Sequence, residues 1–261
     1  ASEAIGGASD LGVDDWLTFY QGGTRLVEYL NHVGYNGLML SVMADGSAIY
    51  PSAVLEPTPR YDTGVFLESG QDPVRKDVLE MLLRLFDRER IGLIPALDFS
   101  APLPELEAIA RRGGAEAEGL RWVNAQGRTW TEVYAAERGA AAYYNIFHPR
   151  VQQAMIGAVR ELTTRYGEHP SFTGLALQLS GYGYAQLPGP DWGLDDATIG
   201  QFQRDLKLTI PGTGPERFAE RAQFLMSRCP REWLQWRAAE LAKFYRRVEA
   251  EVKAMRPDAR L

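Results

Sequence analysis

Pro149-Arg-Val-Gln-Gln-Ala-Met-Ile-Gly-Ala-Val-Arg-Glu-Leu-Thr-Thr-Arg-Tyr166, then His169-Pro170, then Phe172-Thr-Gly-Leu-Ala-Leu-Gln-Leu-Ser180 is the stretch on which the fold turns. Val151, Met155, Ala158, Leu162 and Tyr166 recur at helical spacing, and His169-Pro170 breaks the helix. The apolar run that follows predicts a buried strand over 172–180. It empties into Gly181-Tyr-Gly-Tyr-Ala-Gln-Leu-Pro-Gly-Pro-Asp-Trp-Gly193, a loop of aromatic and hydrogen-bonding groups without Glu, His or Cys. Asp195-Asp196 then caps a helix through Leu206.

The same order of helix, short turn, apolar strand and long loop occurs twice upstream. Apolar residues at 26, 27, 30 and 33 predict a helix over 24–33, stopped by Gly34, and Leu38-Met-Leu-Ser-Val-Met43 reads as a strand. Asp72-Pro73 predicts the start of a second helix, reaching about Glu89, before the strand Leu93-Ile-Pro-Ala-Leu-Asp98. Pro104 to Arg112 reads as a short helix, and residues from about 113 to 147 form a long insertion, polar and then aromatic. Such an insertion is either a lid or site element, or an excursion whose rings cover one end of the fold. Two more helices are expected over 216–227 and 231–255, the second carrying Trp233, Trp236, Leu241, Phe244, Val248, Val252 and Met255 on one stripe.

Strands this far apart, each followed by a helix, imply parallel pairing with helical crossovers. The long loops follow the strands and the returns are short. That asymmetry predicts an α/β fold of the (β/α)8 TIM type, with its site at the strand ends. Only three strands are evident, and Arg256-Pro-Asp-Ala-Arg-Leu261 resembles the turn before another. The expectation is one domain over residues 1–261 that carries the N-terminal part of a barrel within a larger polypeptide.

Charge and composition narrow the function. With 28 Lys and Arg against 34 Asp and Glu the net charge is −6 and the pI near 5.3, which argues against a nucleic-acid partner. Arg237, Lys243, Arg246, Arg247 and Lys253 alternate with glutamates and read as a solvated helix face. Cys229 is the single cysteine and the three histidines are scattered, so no metal site is expected. No phosphate-cradling glycine motif follows a strand, so no cofactor is expected, and no apolar run is long enough to span a membrane. Ala1-Ser-Glu-Ala-Ile-Gly-Gly does not read as a signal peptide, and is expected to be either a mature end or a cut inside a longer protein.

Several segments resemble the glycoside-hydrolase-like barrels of bacteria related to glycosyl hydrolase family 10 and to barrel β-galactosidases. They are Asp72-Pro-Val-Arg-Lys-Asp77, Ile91-Gly-Leu-Ile-Pro-Ala-Leu97, Phe147-His-Pro-Arg-Val-Gln152, His169-Pro-Ser-Phe-Thr-Gly-Leu-Ala-Leu-Gln178 and Asp195-Asp-Ala-Thr-Ile-Gly-Gln-Phe202. The resemblance implies a TIM barrel, a carbohydrate ligand and an extracellular or periplasmic location. In such enzymes the fourth strand ends in Asn-Glu, the Glu being the general acid. Here that place, about Gly181-Tyr182, holds no carboxylate.

Glycoside hydrolysis needs two carboxyl groups. Asp98, directly after an apolar run, is the candidate general acid, and its alternative role is to anchor the following loop. Asp45 and Asp191 are further carboxylates; Asp45-Gly46 reads first as a turn, and a turn is the alternative for Asp191. Rings that stack on sugar C–H faces, beside groups that bond hydroxyls, make Tyr50, Tyr182, Tyr184 and Trp192 with Gln178, Ser180 and Asp45 the candidate substrate-binding set. The alternative is that these rings plug the barrel mouth against the insertion. Two functions therefore stand side by side: a glycoside hydrolase, or a non-catalytic glycan-binding or scaffold barrel. A sugar-phosphate enzyme is a weaker third.

Overall fold

The computed structural model describes residues 16–44, 47–57, 77–134, 143–181 and 183–261. Two compact units emerge: residues 1–97, 158–177 and 251–261 form the first, and 98–157 with 178–250 the second.

The first unit holds a sheet. Helix α1 (Trp16–Val33) leads into β1 (Gly37–Ala44), followed by two short strands, β2 (Ser47–Ala48) and β3 (Glu56–Pro57). Helix α2 (Val78–Glu89) leads into β4 (Gly92–Asp98), and the last strand, β5, is Ala176–Gln178. Their order in the sheet is β3-β2-β1-β4-β5. β1 and β4 run parallel, with Gly37 opposite Gly92 and Leu40 opposite Pro95, and β2 folds back antiparallel on β1. The parallel order continues through Leu93 with Phe172 and Gly174 with Arg260. Three parallel strand positions and the beginning of a fourth are thus occupied in chain order, as expected for helical crossovers. At the fourth position the backbones almost touch. A Cβ on Gly174 would lie 2.6 Å from the Arg260 carbonyl oxygen, so only glycine admits this pairing.

The elements follow from their residues. α1 buries Phe19, Gly23, Val27 and Leu30 at helical spacing, and its start lies well before the position expected from periodicity. α2 is capped by Asp77, whose side chain accepts from the Glu80 N–H at 2.9 Å, while Asp72-Pro73 lies outside the described residues. It buries Leu79, Leu82, Leu83 and Phe86 and ends at Arg90 in the left-handed conformation. The strand expected over 172–180 is regular only at Ala176–Gln178. The bond from Leu93 N–H to the Ser171 carbonyl and the bridges at Phe172 and Gly174 carry the rest. His169 ties the turn before it to α2, with Nδ1 2.6 Å from Asp87 and Nε2 3.0 Å from Glu80.

The second unit is helical and aromatic. It contains α3 (Pro104–Arg112), the short α4 (Trp130–Tyr134) and α6 (Asp196–Leu206). It also contains α7 (Arg217–Arg228), the first half of α5 (Pro149–Tyr166) and the greater part of α8 (Pro230–Met255). Asp195 caps α6 as expected, accepting from the Thr198 N–H at 2.8 Å. The α8 stripe is buried at Trp233, Trp236, Phe244, Val248 and Val252, while Met255 is exposed. One expectation fails here. Arg237 is not on the solvated face: it is 2 % exposed, four residues after Trp233 and therefore on the apolar stripe. Among the described residues no helix is long and apolar enough to cross a membrane.

Candidate functional site

Asp98 is the last residue of β4, and Ser180 follows the end of β5 by two residues. The Ser180 hydroxyl donates to Asp98 Oδ1 at 3.2 Å, so the carboxylate keeps most of its accepting capacity. The Ser180 carbonyl accepts from the Gly183 N–H at 2.9 Å and from the Gln186 side-chain amide, which turns the chain back at once. Burial pushes the pKa of the Tyr143 hydroxyl up to about 12, against the effects of Gln186 and Arg237.

Tyr143 opens onto an aromatic cluster built largely by the insertion. Trp130 stacks on Tyr143 at 4.5 Å and 23°, meets Tyr134 at 4.4 Å and lies 4.9 Å from Trp192. Tyr143 and Trp192 are buried and form the back of the cluster, whereas Trp130 and Tyr134 are only half-buried and form its front. Residues 120–130 and 143–145 are held by bridges between Arg121 and Tyr144 and between Val123 and Thr129, and Asn124 bridges Trp192. The Val123 carbonyl accepts from the Gly193 and Leu194 N–H groups. Gly193 makes that junction possible: its φ is +97°, and a Cβ there would lie 2.8 Å from the Trp122 ring.

The other anticipated ligand groups are placed as follows. Gln178 is exposed and Ser180 half-buried, on the same strand end as each other. Tyr184 is fully enclosed, its N–H bonded to the Phe99 carbonyl at 2.8 Å and its hydroxyl to the Ala101 carbonyl at 3.0 Å. Tyr50 is buried in the first unit, edge-on to Tyr166 at 5.7 Å. Neither ring presents a face to solvent, which corrects the expectation that both line a binding surface. The Tyr184 hydroxyl finds a carbonyl inside the fold, which lets its ring be enclosed, whereas the Tyr50 hydroxyl is buried without a hydrogen-bond partner among the described residues. Trp192 is 5 % exposed and serves as backing. Asp45 and Tyr182 lie outside the described residues.

Two groups escaped sequence reading. Trp130 and Tyr134 are four residues apart in α4, a spacing that puts both rings on one face, but the helix is only five residues long. Glu107 of α3 accepts from the Tyr144 hydroxyl at 2.6 Å and from Arg121 Nη2 at 2.9 and 3.1 Å. Burial works to raise the Glu107 pKa, but the Tyr144 bond and Arg121 outweigh it and hold the carboxyl below its usual range. Glu107 is thus committed to an ion pair, and Asp98 is the less encumbered carboxylate. A separate cavity of about 390 Å³ is lined by Glu118, Phe147, His148, Asp196, Gln201 and Arg204 among others. Its His148 accepts from the Arg150 N–H and its Asp196 pairs with Arg217 and Arg221, so these serve the helix ends. Among the described residues no cluster of His, Cys, Asp and Glu is placed to hold a metal ion.

A family model described as glycosyl hydrolase-like 10 matches residues 13–261. Among solved structures the chain is similar to a cold-adapted β-galactosidase from Rahnella sp. R3. The TM-score is 0.52 at 14% identity, over 95% of this chain and 34% of that one. It is also similar to a β-galactosidase from Bacillus circulans sp. alkalophilus (TM-score 0.49, 14% identity, 92% of this chain and 33% of that one). A GH42 β-galactosidase from G. stearothermophilus gives a TM-score of 0.47 at 14% identity, over 89% of this chain and 31% of that one. The chain therefore spans about a third of the length of these structures. Likeness at this identity shows the fold, the strand and helix succession of a TIM-type barrel. No curated protein matches the sequence.

Proposed function

The chain belongs to the glycosyl hydrolase-like 10 family, and on that premise we propose that its second unit binds a carbohydrate between Asp98 and the Trp130–Tyr134 face. The observation that carries this reading is the continuous line of contacts joining the two. Asp98, Ser180 and Gln186 are linked by hydrogen bonds, Gln186 acts electrostatically on the Tyr143 hydroxyl, and Tyr143 stacks on Trp130. A sugar has an apolar C–H face and a polar rim. Half-buried rings suit the face, and an open carboxylate with a neighbouring exposed amide, Gln178, suits the rim. Similarity to the Rahnella β-galactosidase makes β-galactosides the first ligands to try.

The test is a glycan array including β-galactosides, followed by calorimetry with β-1,4-galactotetraose. Trp130→Ala is expected to weaken binding about tenfold, in keeping with the loss of one central aromatic contact. Equal binding by parent and variant would defeat the reading.

Hydrolysis is a second reading, favoured by the position of Asp98 at a strand end in a family of this name. It predicts release of reducing sugar that Asp98→Asn abolishes. Binding alone predicts no turnover by the parent and a weakened affinity in Asp98→Asn.

A further inference from the structure

α8 sends three side chains to the carbonyls of residues 185–190. The Trp233 indole N–H donates to the Pro190 carbonyl at 2.8 Å. Arg237 donates through Nη1 to the Gly189 carbonyl and through Nη2 to the Pro188 carbonyl, both at 2.9 Å, and the Tyr245 hydroxyl donates to the Ala185 carbonyl. This segment is poor in donors of its own, since two of its residues are prolines. Four of its carbonyls accept from α8, and that of Gly189 also accepts from the Trp192 N–H.

Arg237 is the unusual member. It is 2 % exposed and makes no ion pair among the described residues. Its guanidinium lies over the rings of Trp122 at 5.6 Å and Trp233 at 5.3 Å. Its Nε has no partner. Burial lowers its pKa to about 10, against the effects of Asp191 and Tyr143, so the charge stays on at neutral pH. A buried cation bound only to carbonyls and ring faces is a poor source of net stability. What its rigid fork supplies is geometry, because two successive carbonyls are fixed by one planar group.

The segment it grips carries the two residues that assemble the candidate site: Gln186, bonded to Ser180, and Trp192, packed on Trp130. We propose that Arg237 is the positioning residue of this site, holding residues 185–193 in the one arrangement that aligns the aromatic face with Asp98, without touching the ligand. The proposal rests on the carbohydrate reading for its consequence, and on the loop alone for its mechanism.

The experiment uses the full chain and two variants, Arg237→Met and Arg237→Lys. Amide hydrogen exchange over residues 183–194 reports the loop. Calorimetry with β-1,4-galactotetraose reports the site. In Arg237→Met exchange in the loop should rise about tenfold or more while α6 and the ends of α8 are unchanged, and Arg237→Lys, with one donor point in place of a fork, should fall between. Affinity should drop about tenfold in Arg237→Met because the platform is no longer pre-organised. Trp130→Ala should lose affinity with loop exchange unchanged, which separates contact from positioning. Unchanged loop exchange in Arg237→Met, or acceleration spread evenly over the unit, overturns the proposal. If the sugar fails to bind the parent while the loop still responds, the carbohydrate reading falls and the clamp stands. If Arg237→Met does not fold, Arg237→Lys decides by the same loop exchange, faster supporting the proposal and unchanged overturning it.

Discussion

The two oxygens of Asp195 have different surroundings. Oδ1 caps α6 by accepting from Thr198, while Oδ2 is buried without a partner. Burial raises the pKa to about 6, and the Thr198 bonds only partly oppose it. The folded state therefore binds the proton more tightly than the unfolded chain, whose Asp titrates near 3.9. Stability from this residue is full below about pH 4 and is lost as pH rises through about 6. Asp195→Asn keeps the cap and removes the charge. It should be more stable than the parent at pH 7 by about 1–2 kcal/mol, with the difference gone at pH 4, as read from urea midpoints at the two pH values. Gly193→Ala should act oppositely and without pH dependence. A positive φ and contact with Trp122 together cost about 2–4 kcal/mol, measured by the same unfolding curves. Asp195 was legible in the sequence, as a cap before an amphipathic run. The inward turn of Tyr184 was not, because it depends on the Ala101 carbonyl, eighty-three residues away.

At the scale of elements, periodicity located the longer helices because each buries a single stripe, but it missed the start of α1 and the short α4, which buries none. It missed the end of the strand at Gln178, where residues 179–181 leave the sheet and make turns of their own. It also misplaced Arg237, since a charge pattern along a helix gives no sign that one cation lies beneath a loop from elsewhere in the chain. The junction of α2 with the turn at 169–171 makes a pH prediction of its own. Burial disfavours the charge on His169, but the bonds to Asp87 and Glu80 outweigh it and raise its pKa above the usual 6.5 or so. Burial likewise opposes the charges of Asp87 and Glu80, yet the His169 bonds leave both lowered. The His169 contribution is full below about pH 6.5 and disappears as pH rises through its folded value. The carboxylate contributions are present above about pH 4.5 and disappear as pH falls through theirs. The triad is therefore at full strength between about pH 4.5 and 6.5. His169→Gln should lower the melting temperature most in that window and least above pH 8, and a deficit independent of pH would contradict the pairing.

For the whole molecule, the decisive fact is how the chain divides. The first unit takes three separate segments and the second takes two. The chain therefore passes between the units four times, and two of those passages lie inside α5 and α8, at residues 157–158 and 250–251. Neither unit is a contiguous piece, and a helix that melts in one loses its continuation in the other. This interleaving could not be inferred from the strand and helix order, which reads as a simple succession. It predicts a single cooperative transition. Five of the six tryptophans, at 122, 130, 192, 233 and 236, belong to the second unit, so indole fluorescence reports mainly on it. The amides of Leu93, Thr173 and Leu175 bond within the first unit and report on that one by hydrogen exchange. Urea titrations followed by the two probes should give coincident midpoints. In Gly193→Ala, altered only in the second unit, both should shift together by the same amount. A fluorescence midpoint that moves while the exchange midpoint stays would show that the units unfold independently.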